Sequence, residues 1–322
     1  MTMTAPDPRP ALAEGLARLF RDEDPSILAP DAAWDMMAPV DRVTGRGAIM
    51  ADVVAPLRAA LTGLHRRDLI VIGGPNRRDT GGDWLVCVSH YVGMHDGALW
   101  GVTPSGKLAF LRAGEFHRLS GDGHHIVESR IILDLPDLMR QAGRDPWDGH
   151  GLGTEIAFPA PATQDGLCPP RAGGAASLDV VERMLGALHV YDPETKGSVG
   201  QTGEGGTWAD DMLWYGPCGI GSNFRWDGFV KDHRDAFLTA FPDRKGGNHY
   251  CRIGDGDYAA VSGWPSMTMT MRAPYLGVLA QDAKLTLRVM DFYRIADGRI
   301  AENWVLLDYV DLYRQMGRDI LR

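Results

Sequence analysis

The feature that most constrains the fold is an internal repeat. Residues 126–145, IVESRIILDLPDLMRQAGRD, match residues 300–319, IAENWVLLDYVDLYRQMGRD, at 11 of 20 positions without a gap. The match extends upstream to five further pairs, Leu111, Arg112, Glu115, Phe116 and Arg118 with Leu287, Arg288, Asp291, Phe292 and Arg294. The chain is therefore a tandem duplication, and each copy is expected to form one structural unit.

The length and the spacing of the repeat predict two domains. A chain of 322 residues exceeds the usual size of one domain. The stretch between the copies is rich in Gly and Pro, which is typical of a linker. We expect a first domain at 1–148, a linker at 149–176 and a second domain at 177–322.

Each copy shows the same order of predicted elements. A helix (11–20; 178–191) is followed by a short strand (34–37; 211–215), a second helix (48–61; 226–241) and three or four more strands. Helices packed on a strongly curved antiparallel sheet give an α+β fold. The prediction is two tandem cone-shaped α+β barrels.

The last two strands are predicted from a hairpin signal, Asp297-Gly298, between two runs rich in apolar residues. With these as the two turn residues, Tyr293 faces Glu302, Asp291 faces Trp304, and Leu287 faces Asp308. Because side chains alternate with period two, these polar and aromatic groups share one sheet face. That face is expected to border a pocket, although single carboxylates could instead pair with Arg299 or Arg314.

The opposite face of the hairpin is predicted to bury the contact between the domains. In this register it carries Met290, Phe292, Val305 and Leu307, echoed in the first copy by Gly114, Phe116, Ile131 and Leu133. An apolar sheet face must be covered. We therefore expect an intrachain pseudo-dimer with the two sheets packed against each other.

Composition excludes several classes of protein. The 42 acidic and 33 basic residues give a net charge of −9, which argues against binding to nucleic acid or anionic lipid. The N-terminal residues lack a signal-peptide pattern, and no apolar run approaches the length of a membrane span. Four Cys residues without CxxC spacing fit reduced thiols, so a cytoplasmic location is expected.

The C-terminal pattern carries a family resemblance. DFYRIADGRIAENWVLLDYVDLYRQMG combines an acidic-aromatic-Arg strand, an Asp-Gly turn, Glu-x-Trp, an Asp four residues after the Trp, and Gln-x-Gly. It resembles the SnoaL-like polyketide cyclase (ester cyclase) family of the nuclear transport factor two-like superfold, over 178–319 and more weakly over 11–145. The resemblance implies an α+β barrel with a deep apolar pocket. It also implies a metal-free and cofactor-free aldol closure in which Asp308, or Asp134 in the first copy, is the acid/base.

The first copy departs from this pattern. Arg130 stands where the second copy has Trp304, and His117 stands where it has Tyr293. A guanidinium in the pocket would lower the pKa of a neighbouring carboxyl group, whereas an indole would raise it. The second copy is therefore the better catalytic candidate, and Asp134, His117, Glu128 and Arg130 would form a second candidate pocket.

Other candidate residues come from the second domain. In the helix 226–241, Phe229, His233, Phe237 and Phe241 recur at i+4, so His233 faces the sheet as a catalyst or as a core residue. We expect Asp308 as base, Asp291 orienting a donor, and Tyr293, His233 and His249 as donors. The expected substrate-binding residues are Trp304, Glu302, Trp264, Tyr215 and Trp214.

Three functions stay open at this point. The leading one is proton-transfer chemistry on a small to medium, largely apolar carbonyl compound, by cyclisation, isomerisation, dehydration or retro-aldol cleavage. The alternatives are a lipid- or metabolite-binding protein that uses the same pocket, and an association module. No phosphate loop, metal-ligand set or Ser-His-Asp pattern is present, so neither a metal nor an organic cofactor is expected. A homo-oligomer of the whole chain is compatible with the sequence.

Overall fold

The computed structural model describes residues 7–155, 158–188, 190–192, 194–198 and 200–322. These residues form an α+β structure with two six-stranded sheets, as the repeat predicts. The first domain contains α1 (Arg9–Arg21), β1 (Leu28–Met36), β2 (Arg42–Thr44), α2 (Arg46–Ile49), α3 (Ala55–Ala60), β3 (Leu61–Pro75), β4 (Asp83–His95), β5 (Leu108–Leu119), β6 (Ile126–Leu133) and α4 (Leu135–Gln141). The second contains α5 (Gly174–Leu188), β7 (Trp208–Tyr215), β8 (Ser222–Phe224), α6 (Arg225–Phe229), α7 (Asp235–Ala240), β9 (Cys251–Asp255), β10 (Tyr258–Thr270), β11 (Lys284–Ala296), β12 (Arg299–Leu307) and α8 (Tyr309–Gln315).

The two sheets have the same strand order, β2-β1-β6-β5-β4-β3 and β8-β7-β12-β11-β10-β9. The duplication is therefore visible in the topology. Each sheet is mixed and not wholly antiparallel as expected, because β1 runs parallel to β6 and β7 runs parallel to β12. In the described residues the two end strands of each sheet do not pair with each other, so the sheets are open and the predicted barrels are not closed.

The helix predicted at 226–241 forms with one irregularity. A π-helical turn, Val230–Arg234, joins α6 to α7, and the first domain has its counterpart at Met50–Val54 between α2 and α3. The extra residue per turn leaves the i+4 stripe facing the sheet, since Phe229 and Phe237 are buried. Turns of this kind recur at functional sites.

The sheets pack face to face as a pseudo-dimer. The ring centroids of Phe116 and Phe292 lie 5.5 Å apart across the contact. Gly114 lies so close to the other sheet that a Cβ atom there would stand 2.7 Å from Leu306 Cδ1. The packing of sheet against sheet follows the prediction. In each domain, however, two of the four predicted interface residues are replaced by others.

A β-bulge corrects the predicted register. Ile295 pairs with Ile300 as expected, but the register then shifts, so that Phe292 and not Asp291 pairs with Trp304. One extra residue in a strand exchanges the two faces beyond it. The interface therefore receives Trp304 and Leu306, and the predicted Val305 and Leu307 line the cavity described below.

The first hairpin carries the same correction. Its register shifts between Arg118 and Leu119, which pairs Gly114 with Ile132 and Phe116 with Arg130. Ile132 and Arg130 therefore take the interface positions predicted for Ile131 and Leu133. Arg130 lies over the Tyr250 ring of the second domain, 3.8 Å from its centroid.

The predicted linker packs against both domains. Val71 N donates to Gly166 O at 2.8 Å, and Leu152 N donates to Gly219 O at 2.7 Å. Helix α5 begins at Gly174, slightly before the predicted end of the linker at 176. The domain boundaries themselves remain a prediction.

Candidate functional site

The candidate site is a cavity of about 120 Å³ in the second domain, between one face of the sheet and the helices α5, α6 and α7. Its apolar wall comes from all these elements: Met184, Leu185, Leu188, Trp208, Trp214, Phe229, Phe237, Leu238, Met267, Leu287, Val289, Val305 and Leu307. The polar lining residues are His233, Arg234, Arg244, His249, Ser266, Asp291, Tyr293 and Asn303, and a mainly apolar wall with convergent polar groups is the usual composition of a small-molecule site.

The sheet contributes one polar cluster to the cavity. Asp291 and Tyr293 alternate along β11, and Asn303 on β12 lies directly opposite Tyr293. Tyr293 and Asn303 both lie close enough to the Asp291 carboxyl group to lower its pKa. Asn303 Nδ2 is itself held by Phe292 O at 3.0 Å. The carboxyl group therefore has two polar neighbours on a largely apolar wall.

The environment of Asp291 favours its neutral form. Burial among apolar side chains raises the pKa of Asp291 to about 7, against the hydrogen bonds from Asn303 and Tyr293, which lower it. The residue keeps partial exposure because it faces the cavity. A carboxyl group with this pKa can exchange a proton near neutral pH, as a general acid or base must.

His233 lines the cavity from the π-helical turn. Its ring stacks on Trp214 with centroids 4.7 Å apart and an angle of 15° between the planes. Burial, with smaller effects from Arg244 and Arg234, lowers the pKa of His233 to about 3. The imidazole is therefore neutral at pH 7, and its Nδ1 has no hydrogen-bond partner within the described residues.

His249 lines the same cavity from the segment before β9. Arg252 Nε donates to His249 Nδ1 at 3.1 Å. Because a guanidinium can only donate, Nδ1 is the acceptor and Nε2 carries the proton of the neutral ring. Five of the predicted site residues therefore line this one cavity: Asp291, Tyr293, His233, His249 and Trp214.

Glu302 and Trp304 lie on the opposite sheet face, because the bulge exchanges the two faces of β12. Glu302 accepts hydrogen bonds from Ala162 N at 3.1 Å and from the Tyr215 hydroxyl at 2.9 Å. Trp304 Nε1 donates to Pro159 O at 2.9 Å. The substrate-binding role predicted for Glu302, Trp304 and Tyr215 is therefore wrong for this cavity, and these side chains fix the segment between the domains.

Asp308 also lies outside the cavity, because it begins helix α8 beyond the end of β12. Its carboxylate accepts from Asp311 N at 3.0 Å, from Arg288 Nη1 at 3.0 Å and from Ala38 N of the first domain at 3.2 Å. Burial raises the pKa of Asp308 to about 6, against the charge of Arg288. With every oxygen engaged in the fold, Asp308 is a helix cap that crosses between domains.

Asp134 makes the reciprocal contact. It caps α4 through Asp137 N at 3.1 Å and accepts from Cys218 N of the second domain at 3.0 Å. The acid/base role that the resemblance implied for Asp308 and Asp134 is thus not supported by their positions. Trp264 is likewise absent from the cavity wall and lies under Arg288, 4.7 Å from ring centroid to guanidinium carbon.

In the first domain, an arginine fills the space that corresponds to the cavity. Arg66, fully buried, forms ion pairs with Glu115 at 2.7 Å and Asp68 at 2.8 Å. Glu115 is the counterpart of Asp291 in the repeat, and Arg66 holds the pKa of Glu115 down at about 2 although burial opposes this. His117 bonds to Glu115 at 2.9 Å and to Ser129 at 2.7 Å.

Of the four residues predicted for a first-domain pocket, only His117 belongs to this interior. Glu128 and Arg130 pair with each other at 2.8 Å on the opposite face. Cys87, Glu115 and His117 bring three ligand-type atoms within 4.8 Å of one another. The ligand-type atoms of Glu115 and His117 already form hydrogen bonds with Arg66, with Ser129 and with each other. The three residues therefore fit a closed hydrogen-bond network better than a metal site.

Four residues of the two interiors were not predicted as site residues. The predicted register places Asn303 on the face opposite Asp291, and Arg66 lies outside the aligned repeat. Arg234 and Arg244 line the cavity, yet arginines on a helix and in the turn after it are usually solvated. One feature of the sequence could have indicated Arg234: it directly follows the predicted site residue His233. Neighbouring residues on a π-helical turn can both line the same cavity.

Comparison with known proteins agrees with this architecture. Residues 206–316 match the family described as SnoaL-like polyketide cyclase. Among solved structures, IdmH from Streptomyces antibioticus, a candidate polyketide cyclase, is 19% identical with a TM-score of 0.36, covering 44% of this chain and 99% of its own. AclR from Streptomyces galilaeus, a candidate hydroxylase, is 18% identical with a TM-score of 0.34, covering 44% and 82%. TsrD from Streptomyces laurentii is 18% identical with a TM-score of 0.35, covering 42% and 93%.

No curated protein matches the chain. Among the described residues, the helices are too short or too polar to cross a lipid bilayer. The family match covers both strands that carry Asp291, Tyr293 and Asn303, and the repeated sheet topology extends the same architecture to the first half. The chain therefore carries, at residues 206–316, a domain of the SnoaL-like polyketide cyclase family.

Proposed function

We propose that the second domain catalyses proton transfer next to the carbonyl group of a small, largely apolar compound, with Asp291 as the general base. The observation that supports this is a carboxyl group held in an apolar cavity with a pKa raised to about 7. At pH 7 about half of the molecules would hold an ionised Asp291. The ionised form meets few polar groups, so its basicity is strong for a carboxylate.

The proton removed would come from a carbon α to the substrate carbonyl. The enolate oxygen then needs a hydrogen-bond donor, and the candidate in the same cavity is the neutral ring of His233, whose Nδ1 has no partner within the described residues. Tyr293 and Asn303 are the polar neighbours of Asp291, so we assign them the role of orienting the base. Within this reaction class, family membership favours intramolecular aldol ring closure over isomerisation or dehydration.

The cavity limits the size of the substrate. Its volume of about 120 Å³ is close to that of engineered apolar cavities, roughly 150 Å³, that bind benzene. One six-membered ring therefore fits without movement of the wall. Larger substrates require displacement of helix α5 or of the segment that carries His249.

The test is exchange of α-protons in D₂O, followed by NMR over a panel of small cyclic and aryl ketones. Asp291→Asn should lower the exchange rate at least about a hundredfold, because the amide has no basic oxygen. Asp308→Asn is the matched control and should change the rate by less than about threefold. The acidic limb of kcat/KM should lie near pH 7 and belong to Asp291.

Two results would contradict the proposal. Loss of exchange in Asp308→Asn with exchange retained in Asp291→Asn would return the base role to Asp308. Ligands that bind in the cavity without any exchange would favour the alternative, a binding protein without turnover.

A further inference from the structure

Two arginines line the helix side of the cavity. Arg234 ends the π-helical turn, and Arg244 follows helix α7. Both guanidinium groups lie near the Tyr191 ring, 6.0 Å and 5.5 Å from its centroid. Arg234 is only 3% exposed. Arg234 is buried and Arg244 is half-buried, so two positive charges lie on the helix side of an apolar cavity.

Neither arginine forms an ion pair with a carboxylate in the part of the chain that the structure describes. The other well-buried arginines all have such a partner: Arg9 with Asp255 at 2.6 Å, Arg66 with Glu115 at 2.7 Å and Arg112 with Asp137 at 3.2 Å. Buried charges are normally paired, because desolvation without a counter-charge is costly. An unpaired pair of cations beside a cavity therefore indicates a missing anion.

The hydrogen bonds of the two groups leave donors for a ligand. Arg234 Nε donates to Lys196 O at 2.6 Å, and its Nη2 binds Ser198 Oγ. Arg244 Nη2 makes a long contact of 3.5 Å with Leu188 O. Within the described residues, Arg234 Nη1 and Arg244 Nε and Nη1 have no partner. Three N–H-bearing atoms match the two oxygens of one carboxylate.

The cationic end is separate from the acidic cluster. The groups that perturb Asp291 are its apolar surroundings, Asn303 and Tyr293, and no arginine is among them. His233, in contrast, is perturbed by both Arg244 and Arg234. The cavity thus has a carboxyl group on the sheet side, a neutral imidazole that feels the charge of both arginines, and the two arginines on the helix side.

We propose that Arg234 and Arg244 bind a carboxylate of the substrate, which makes the natural substrate an apolar keto acid. This inference rests on the cavity being the substrate site proposed above and adds the chemical class of its ligand. The carboxylate pairs with both guanidinium groups, offsets one of their two positive charges and places the apolar body against the Trp208 and Trp214 wall. The reacting α-carbon then lies towards Asp291, away from the anchoring charge.

The state of the arginines is compatible with this role. Burial, and to a smaller extent the charge of Arg244, lower the pKa of Arg234 to about 10, and burial lowers the pKa of Arg244. Both groups therefore remain protonated at neutral pH, with a repulsion that a bound anion relieves.

The experiment measures binding of benzoate and benzamide to the full chain by titration calorimetry. The two probes have the same ring and nearly the same shape, and they differ in charge. Benzoate should bind at least about tenfold more tightly, because charge-assisted hydrogen bonds exceed neutral ones. Phenyl phosphate is the third probe and should bind more weakly than benzoate, since moving a dianion into a largely apolar cavity costs more desolvation than moving a monoanion.

The matched variants are Arg244→Gln and Lys231→Gln. Lys231 is an exposed cation on the same helical segment, so it controls for net charge. Arg244→Gln should lower benzoate affinity at least about fivefold and leave benzamide within twofold, whereas Lys231→Gln should leave both unchanged. Arg234→Gln should act in the same direction, and Arg244→Lys should restore part of the benzoate affinity.

Several outcomes would overturn the proposal. These are absence of benzoate binding, equal affinity for benzoate and benzamide, equal effects of the two matched variants, or tighter binding of phenyl phosphate. Because the readout is binding, Asp291→Asn should retain the preference for benzoate. If Asp291 proves not to be the base, the proposal of a carboxylate site is unaffected. If benzoate does not bind at the arginines, the proposal that Asp291 is the base is unaffected.

Discussion

The enclosed carboxyl group of Asp291 should make the fold less stable as the pH rises. Its pKa is about 7 in the folded state, against 3.8 for the unperturbed group. Between these values the folded state binds a proton that the unfolded state has released, so the free energy of unfolding falls by about 1.4 kcal/mol per pH unit. The loss begins near pH 4, and it levels off above pH 7.

The variant Asp291→Asn removes this titration and keeps the shape of the side chain. Relative to the variant, the wild-type protein should lose about 3 kcal/mol of stability between pH 5 and pH 8. At pH 8 the substitution should stabilise the protein, by about 4 kcal/mol at most, while it abolishes proton transfer. A gain in stability with loss of activity is the usual result when a strained catalytic group is removed.

The assay is urea unfolding of both proteins at several pH values from 5 to 8, followed by tryptophan fluorescence. Asp211→Asn is the control, because Asp211 is exposed on strand β7 of the same sheet, and its effect should stay within about 0.5 kcal/mol at every pH. Parallel pH profiles for the wild type and Asp291→Asn would refute the reasoning, since they would mean that Asp291 is ionised in the folded state as readily as in water.

Two further predictions concern the domain contact. Asp308→Ala should lower the free energy of unfolding by about 2–4 kcal/mol, because it removes a helix cap and leaves the buried Ala38 N–H unpaired; benzoate affinity should not change, and a large loss of affinity would show that Asp308 reaches the cavity. Gly114→Val should cost about 1–3 kcal/mol by urea unfolding, because its side chain meets Leu306 across the interface. Gly186→Ala is its control, since a Cβ there meets nothing within 4 Å, and it should stabilise helix α5 by about 0.5–1 kcal/mol; equal effects of the two glycine substitutions would contradict the packing.

Local patterns predicted much of the fold. The Asp297-Gly298 turn forms with positive φ at both residues, 50° and 72°, as a type I′ turn requires. The i+4 stripe of Phe229, His233 and Phe237 faces the cavity as its period indicates. These features depend on residues that are close together in the chain, so local sequence patterns are enough to predict them.

The candidate site was predicted less well, and one residue explains most of the error. The register shift after Ile295 leaves Ala301 as the extra residue in β12, and no composition rule marks an alanine as bulged. The shift moved Glu302 and Trp304 to the interface and brought Asn303 beside Asp291. The parallel pairing of β7 with β12 was missed for a similar reason, since it joins segments about 90 residues apart that have no shared pattern.

The reciprocal caps have a consequence for how the two halves diverged. In a symmetric dimer of two identical chains, a substitution such as the one that introduces Arg66 would fill both cavities at once. Covalent fusion removes that constraint, because each copy then mutates alone while the caps of Asp134 and Asp308 still tie it to its neighbour. One half can then become a permanent scaffold whose interior holds buried ion pairs, and the other can keep a cavity whose charged lining is energetically unfavourable.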